Sequence, residues 1–492
     1  MNKWTALQNG SDIRGVVLEG IKNESITLTP DIVRTIAWSF ATWLKKNTSN
    51  KKLSISVGND SRLSAQTLKD AVFEGIAFSE CIPIDCGLAS TPAMFMSTQF
   101  DNYDYDGSIM LTASHLPFNR NGLKFFTKKG GLSKDDISEI LILSKEQEII
   151  EKKSISDIKA VNLMEDYSKY LVNFIREKSG LKKPLEGLNI IVDAGNGSGG
   201  FFVYNVLNQL GANTNGSQFL EPDGSFPNHI PDPENKEAME FLIKAVKKNK
   251  SDLGIIFDTD VDRAGAVDKN GLPINRNRFI ALMASIVLEE YPGTTIVTDS
   301  VTSSGLTKWI EQLGGIHHRF KRGYKNVINE SIRLNKKDIS CELALETSGH
   351  GALKENYFLD DGAYQISKIL IKLSQLHQNN SGSIDELIKD LEQPIDEIEF
   401  RPIIKRKDYL MYADKILVEF NNYVLSHPTW NLTPNNYEGV HVSIPNGWIL
   451  LRKSLHDPKL PINIESNIKN GSNKIKSEVV KFLRQFDDLE IV

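Results

Sequence analysis

The sequence predicts an α/β protein of several domains, and three observations carry that prediction. Apolar strand-like runs alternate with amphipathic helical stretches. The chain has 492 residues, more than one hydrophobic core accommodates, so three or four domains are expected. No low-complexity tract or short repeat interrupts the alternation.

Taken in order, LSISVGND (residues 53–60) reads as a buried strand, followed by a helix from Ser64 to Phe78. Ile109 to Leu111 forms a short apolar run that gives way to Thr-Ala-Ser-His and breaks at Pro117. The charged stretch from Ser144 to Ala160 reads as a helical connection to a second domain. There, Leu188 to Val192 is a strand, Phe201 to Leu210 a helix and Leu253 to Phe257 a buried strand. Val267 to Pro273 marks a further boundary. Phe279 to Leu288 is the longest apolar run; too short to span a bilayer, it reads as a buried helix. Asn379 to Gly382 (NNSG) is a turn, and from about Glu397 alternating apolar residues with two helical patterns indicate an α+β segment.

Composition excludes some function classes. Lys and Arg number 58 against 63 Asp and Glu, a net charge of -5, which argues against nucleic acid or an anionic membrane as the main partner. Cys81, Cys86 and Cys341 form no metal-ligand pattern and cannot all pair, which suits a reducing compartment. The opening residues MNKWTALQNGSDIRG carry no apolar signal core, so a cytoplasmic protein is expected.

Four strings carry chemistry. In MLTASHLPFNRNGLKFF, residues 110–126, Ser114 sits on a turn at a strand end, with His115, Arg120 and Lys124 close in sequence to offer positive charge. In LGIIFDTDVDRAGAVD, residues 253–268, an apolar strand runs into Asp258, Asp260, Asp262 and then Arg263. Three carboxylates at alternate positions repel one another unless a cation neutralises them, and hard oxygen ligands imply Mg²⁺ or a similar ion. An EF-hand starting at Asp258 would need glycine at Arg263 and glutamate at Lys269. An aspartyl-nucleophile phosphatase motif would want threonine or valine at Asp262. In LALETSGH, residues 343–350, Glu346 and Ser348 stand beside Gly349 and His350, a composition suited to binding vicinal sugar hydroxyls. In NGWILLRKSLHDPK, residues 446–459, Arg452, Ser454, His456 and Lys459 gather around a turn at a density that can hold a phosphate dianion.

A fifth string points elsewhere. In VDAGNGSGG, residues 192–200, Gly195, Gly197 and Gly200 formally satisfy the G-x-G-x-x-G dinucleotide pattern after a strand. The acid expected about twenty residues further on falls only at Glu221, before Pro222 in a turn-rich stretch. A dinucleotide-dependent oxidoreductase is thus a remote alternative.

Together, and in this order, the strings resemble those of the α-D-phosphohexomutases, the family of phosphoglucomutase, phosphomannomutase and phosphoglucosamine mutase. NGSDIRG (9–15) looks like the opening motif and VGNDSRLS (57–64) the second strand and turn. TASHLP (112–117) resembles the phosphoserine loop, DTDVDR (258–263) the metal loop and ETSGH (346–350) the sugar-recognition loop. KRGYKN (321–326) is similar to a further substrate loop, and RKSLHDP (452–458) stands in place of the C-terminal phosphate loop.

The resemblance implies three similar α/β domains with mixed sheets and a C-terminal α+β domain around a central cleft. They would span 1–155 with the phosphoserine loop, 156–268 with the metal loop, 269–390 with the sugar-recognition loop and 391–492 with the phosphate loop. It makes Ser114 the phosphorylated residue and, with Asp258, Asp260 and Asp262, a ligand of Mg²⁺. Arg14 and Arg263 would contact the reacting phosphoryl group, with His115, Lys124 and Lys325 near the reaction centre. Glu346, Ser348 and His350 would bind the sugar, and Arg452, Ser454, His456 and Lys459 the phosphate that is not reacting. The implied reaction moves a phosphoryl group between O1 and O6 of an aldohexose phosphate, glucose first and mannose next, by way of a hexose 1,6-bisphosphate.

Departures from the family pattern gather at the phosphate loop, where Leu455, His456 and Asp457 replace a small residue, threonine and glutamate. Leu116 replaces an asparagine, Thr259 a glycine and Phe320 a threonine. They leave the serine and carboxylates intact but bear on substrate handling. The alternative they motivate is a hexose-1,6-bisphosphate synthase, making glucose 1,6-bisphosphate from a glucose phosphate and a donor such as fructose 1,6-bisphosphate.

Overall fold

A computed structural model describes residues 3–48, 52–147, 149–152, 155, 158–454 and 457–491. The chain forms two compact units, one of Met1–Asn275 with Ser348–Glu386, the other of Arg276–Thr347 with Leu387–Val492.

The first unit holds a mixed sheet whose central strands run Asp12–Val16, Arg120–Thr127, Gly107–Leu111, Ser54–Asn59 and Ile82–Leu88. Gly107–Leu111 and Ile82–Leu88 are parallel to Ser54–Asn59, whereas Arg120–Thr127 is antiparallel to both its neighbours. Every residue of Gly107–Leu111 is buried, as expected of a strand covered on both faces. Helices Pro30–Asn47 and Ala65–Phe78 pack closely: a Cβ on Gly75 would stand 2.1 Å from the Arg34 carbonyl oxygen. Their apolar residues join Ile55, Val57, Ile109 and Leu111 in one core.

A second sheet pairs Leu253–Phe257 parallel to Ile190–Asp193 and antiparallel to Ala264–Asp268. Phe257 faces Ala264 across the hairpin, so residues 258–263, the acidic string, form its connection. A hairpin of Gly351–Leu353 and Leu359–Asp360 and the helix Gly362–Gln378 complete this unit. That helix lies against Leu163–Ser179, where Phe174 stacks on Tyr364 with ring centroids 4.6 Å apart.

In the second unit Thr295–Thr298 runs parallel to both Ile316–Arg319 and Cys341–Leu345. The helix Arg276–Glu290 carries the apolar run 279–288, almost wholly buried as expected. The C-terminal part is an antiparallel sheet in the order Asp396–Phe400, Ile462–Ser466, Gly447–Leu451, Val440–Ile444 and Asn431–Leu432. Helices Tyr409–Ser426 and Gly471–Leu483 contribute Ile416, Phe420, Val479 and Leu483 to its core.

Two elements differ from expectation. Over 201–210 the chain forms a π-helical segment, Phe202–Leu207, followed by a 3-10 turn, Asn208–Leu210. Side-chain periodicity fixes the buried face but barely distinguishes hydrogen-bond registers over two turns. The helix entering the charged 144–160 stretch, Lys134–Gln147, ends early, and residues 149–152 have no regular structure. Beyond Ser144, which is buried and bonded to Ser39, the polar segment offers no apolar face to anchor a helix. Among the described residues no helix is long and apolar enough to cross a membrane. Cys81, Cys86 and Cys341 are buried and unpaired with one another.

Candidate active site

Ser114 follows the buried strand Gly107–Leu111 and is only 3 % exposed. Its backbone adopts φ 51°, a left-handed conformation that costs a serine energy and persists only when its surroundings hold it. Two contacts do so: the Ser114 N–H donates to Thr112 Oγ1 at 2.9 Å, and Arg62 Nη2 donates to the Ser114 carbonyl at 2.6 Å. Arg62 also serves the carbonyls of Leu116 at 2.6 Å and of Pro117 and Arg120 at 2.8 Å. One buried guanidinium thus clamps the whole turn, with Asp60 at 3.4 Å as its counter-charge.

The same turn meets the acidic hairpin connection. Ser114 Oγ donates to Asp258 Oδ2 at 2.8 Å and accepts from Arg263 Nη2 at 3.1 Å. Arg263 Nε reaches Asp258 Oδ2 at 3.1 Å and Nη1 reaches Asp232 Oδ1 at 3.0 Å. His115 Nδ1 lies 2.6 Å from Arg263 Nη2 and 3.3 Å from Ser114 Oγ. Lys124 donates to Asp260 Oδ2 at 3.0 Å and to Asp262 Oδ2. Thr91 Oγ1 donates to Asp260 Oδ2 at 2.5 Å. Arg14 donates to the Ala113 carbonyl and to Asp12 Oδ2, both at 3.1 Å. His350 Nδ1 stands 2.6 Å from Asp360 Oδ2 and 3.7 Å from Asp262 Oδ1.

The electrostatics are those of a crowded, dry acid cluster. Burial, then the charges of Asp262 and Asp260, push the Asp258 carboxyl well above its ordinary value. Burial would also raise Asp262, but the Lys124 ammonium, His350 and Arg263 overcome it and hold that group below the usual carboxylate range. Burial and the Arg263 charge lower His115 to about 4, leaving a neutral imidazole. Burial opposes protonation of His350, yet Asp360 and Asp262 raise it to about 9.

The three aspartates offer oxygens all within 4.8 Å of one another. Asp260 Oδ1 and Asp262 Oδ1 are buried and accept no hydrogen bond from any described residue. Dry anionic oxygens left unpaired are costly, and a hard divalent cation satisfies such a set. The donor chemistry therefore fits Mg²⁺.

The remaining predicted residues divide between the units. Ser348 and His350 belong to the first, while Lys325, Glu346, Arg452, Ser454 and Lys459 belong to the second. Lys325 lies in the helix Tyr324–Asn335, and Glu346 Oε1 accepts the Gly323 N–H at 2.6 Å, tying the 346 turn to the 321–326 loop. Arg452 is buried at the end of Gly447–Leu451; burial lowers it, against the opposing charge of Glu438. Ser454 Oγ accepts the Asp457 N–H at 3.1 Å, and the Ser454 N–H donates to the Lys459 carbonyl at 3.1 Å. His456 and Leu455 lie outside the described residues.

Sequence reasoning missed Asp232, Asp360, Thr91 and the clamp role of Arg62, although Arg62 stands inside the quoted VGNDSRLS string. The glycine string, which carried only the remote dinucleotide alternative, serves packing. A Cβ on Gly197 would lie 2.6 Å from the Thr259 carbonyl oxygen, and one on Gly200 would lie 2.3 Å from that of Leu220. Those glycines permit close backbone packing, Gly197 against the acidic turn itself.

The fold is an α/β/α scaffold that holds a hydroxyl against three carboxylates and an arginine, and known proteins resemble this chain along most of its length. The family descriptions "Phosphoglucomutase/phosphomannomutase, alpha/beta/alpha domain" I, II and III match residues 6–149, 165–271 and 275–394. A phosphomannomutase/phosphoglucomutase of Pseudomonas putida is 30 % identical over 466 residues, 94 % of this chain and 92 % of that protein. A phosphomannomutase of Methanocaldococcus jannaschii is 30 % identical over 468 residues, 93 % and 95 % of the two chains. The crystal structure of a phosphoglucomutase/phosphomannomutase family protein from Burkholderia thailandensis shares the fold with TM-score 0.81, covering 99 % and 98 % of the chains at 24 % identity. The chain belongs to the phosphoglucomutase/phosphomannomutase family.

Proposed function

We propose that this enzyme moves a phosphoryl group between O1 and O6 of an aldohexose phosphate, glucose first and mannose next, with Ser114 as the group that carries the phosphate between turnovers. The observation that carries the proposal is the hydroxyl of Ser114 held 2.8 Å from Asp258 and 3.1 Å from Arg263. A phosphoryl group in transfer spreads negative charge over its oxygens, and positioned cations stabilise that charge where it develops. Arg263, Lys124 and Arg14 gather around the Ser114 turn to do this. Asp258, Asp260 and Asp262, with Ser114 Oγ, would hold Mg²⁺, which when bound adds a further positive charge against the phosphoryl oxygens. The Ser114 hydroxyl proton faces Asp258 at 2.8 Å, while His115, whose Nδ1 lies 2.6 Å from Arg263 Nη2 and 3.3 Å from Ser114 Oγ, stands beside the reacting hydroxyl with Lys124 as a further basic group.

In this scheme phosphorylated Ser114 donates to one end of the hexose phosphate, the hexose 1,6-bisphosphate turns over, and its other phosphate returns to the serine. Glu346 and Ser348 would bind ring hydroxyls, while Arg452, Ser454, His456 and Lys459 would grip the phosphate not reacting.

The test is incubation with Mg²⁺ and glucose 1-phosphate, with and without fructose 1,6-bisphosphate, alongside intact-mass measurement. Expected are one added phosphate on the protein, absent in Ser114→Ala, and rapid glucose 6-phosphate formation with only catalytic bisphosphate. Stoichiometric accumulation of glucose 1,6-bisphosphate from the two sugars would replace the mutase with the synthase. Phosphorylation that persists in Ser114→Ala would overturn the serine assignment.

A further inference from the structure

A cavity of about 320 Å³ lies in the second unit between the strand Ile316–Arg319 and the segment 433–437. None of the residues assigned above to phosphoryl transfer or sugar binding lines it. Its size falls at the lower end of the range that small-molecule sites occupy.

Arg319 lines this cavity. Its Nε donates to Thr302 Oγ1 at 3.1 Å, and Nη2 donates to the Ser303 carbonyl and to Thr307 Oγ1, both at 2.9 Å. Nη1 donates to no described residue, and no carboxylate among the described residues lies within ion-pair distance. Glu465, Asp299 and Glu311 act on it only from further away. A guanidinium so placed keeps its charge and lacks a counter-ion.

A second group points the same way. His441, 5 % exposed, also lines the cavity; Nδ1 lies 2.7 Å from Thr433 Oγ1, whereas Nε2 is buried without a hydrogen-bond partner among the described residues. In the tautomer in which Thr433 donates to Nδ1, Nε2 carries the proton and is a donor with nothing to donate to. The ring is fixed by stacking on Trp448, centroids 5.0 Å apart at 21°. An apolar wall stands beside these donors, where Phe320, His318 and Tyr437 pack ring to ring at 5.0 to 6.0 Å.

We propose that this cavity binds a small phosphate-bearing molecule, its oxyanion held by Arg319 Nη1 and His441 Nε2 and its remaining atoms packed on the Phe320–Tyr437 wall. Two hydrogen-bond donors, one of them charged, suit a phosphate, and the aromatic wall suits a compact organic body. Occupancy bears on catalysis through the next residue: Glu438 accepts the Arg322 N–H at 3.1 Å and the Ser300 hydroxyl, so a ligand seated against Tyr437 steadies the 321–326 loop.

The test titrates inorganic phosphate, without Mg²⁺, into full-length protein carrying Arg452→Gln to weaken the other phosphate site, with Trp448 fluorescence as readout and Trp448→Phe as the signal control. Expected is a saturable change, at least about tenfold weaker after Arg319→Met and several-fold weaker after His441→Phe, which keeps the stacked ring. Equal affinity in all these proteins, or no saturable change up to roughly 10 mM phosphate, would overturn the proposal. Should Arg319→Met fail to fold, His441→Phe decides alone, because loss of Nε2 must weaken binding if the site is real.

Discussion

Ser114 and Asp258, 144 residues apart in sequence, share a hydrogen bond of 2.8 Å in the first unit. That bond joins the turn after Gly107–Leu111 to the connection of the second sheet's hairpin, and it places a hydroxyl against the metal-fitting carboxylates. Ser114→Ala removes the hydroxyl while leaving the Arg62 clamp on the 114 carbonyl intact. Turnover of glucose 1-phosphate should fall at least about a thousandfold with little change in thermal midpoint. Rate measurement beside a melting curve checks both halves.

Asp260 is held from two sides, by Lys124 at 3.0 Å and Thr91 at 2.5 Å, so its carboxylate is aimed before any cation arrives. Asp260→Asn keeps the shape and removes one negative charge from the donor set. The Mg²⁺ concentration for half-maximal rate should rise by about 10- to 100-fold, read from activity against free Mg²⁺. Binding of Mg²⁺ measured directly by calorimetry should weaken in parallel.

How much of this site is legible in sequence depends on how local each signal is. Ser114 and the aspartates stand in short strings whose chemistry is visible at once: a hydroxyl at a strand end, carboxylates at alternate positions. Asp232 stands in a Pro-rich turn like any on a surface, and its meaning comes from Arg263, 31 residues away. Arg62 reads as one more basic residue until the fold brings it to a turn 52 residues on. The alternation of strands and helices, the buried helix at 279–288 and the α+β C-terminal part follow from periodicity, which senses faces. The π register at 202–207 does not, because periodicity hardly senses hydrogen-bond partners.

Arg62 makes its own prediction. Four carbonyls of the 114–120 turn share its fork, a geometry no ammonium can reproduce. Arg62→Lys keeps the charge beside Asp60 and should still fold, yet the freed turn lets Ser114 wander. A displacement near 1 Å costs about a hundredfold in rate. The kcat should drop by that order and by more than the half-maximal Mg²⁺ concentration rises, because Ser114 Oγ is one proposed ligand of four and the three carboxylates stay in place; steady-state kinetics at varied metal separates the two effects.

His229 and Asp193 are both buried, Nε2 of the histidine 3.0 Å from the carboxylate. Burial pulls the imidazole down, but the hydrogen bond and charge of Asp193 outweigh it and hold its pKa above 6.5. The folded state therefore binds the proton more tightly than the unfolded chain does. The stability this adds is complete below about pH 6.5 and is lost as pH rises through the folded value. The thermal midpoint of the protein relative to His229→Gln should be highest near pH 6 and should shrink on going to pH 9. A difference that grows with pH would contradict it.

Gly197 turns a misleading motif into a measurable one. The dinucleotide pattern would give this glycine the task of letting backbone approach a pyrophosphate. In the structure its Cα faces Thr259, whose carbonyl oxygen accepts the Ser198 N–H at 2.8 Å and would stand 2.6 Å from a Cβ at 197. The neighbour is backbone, which cannot rotate aside, and it belongs to the 258–263 connection that carries all three aspartates. Gly197→Ala must therefore push that connection or strain its own loop, at about 1–3 kcal/mol. Because the displaced segment holds the acid cluster, the same substitution should weaken Mg²⁺ activation as well as lower the denaturation midpoint, while NAD(H) binding by fluorescence stays absent in both proteins. A stable Gly197→Ala enzyme with unaltered Mg²⁺ dependence would show that the close approach is not what this glycine is for.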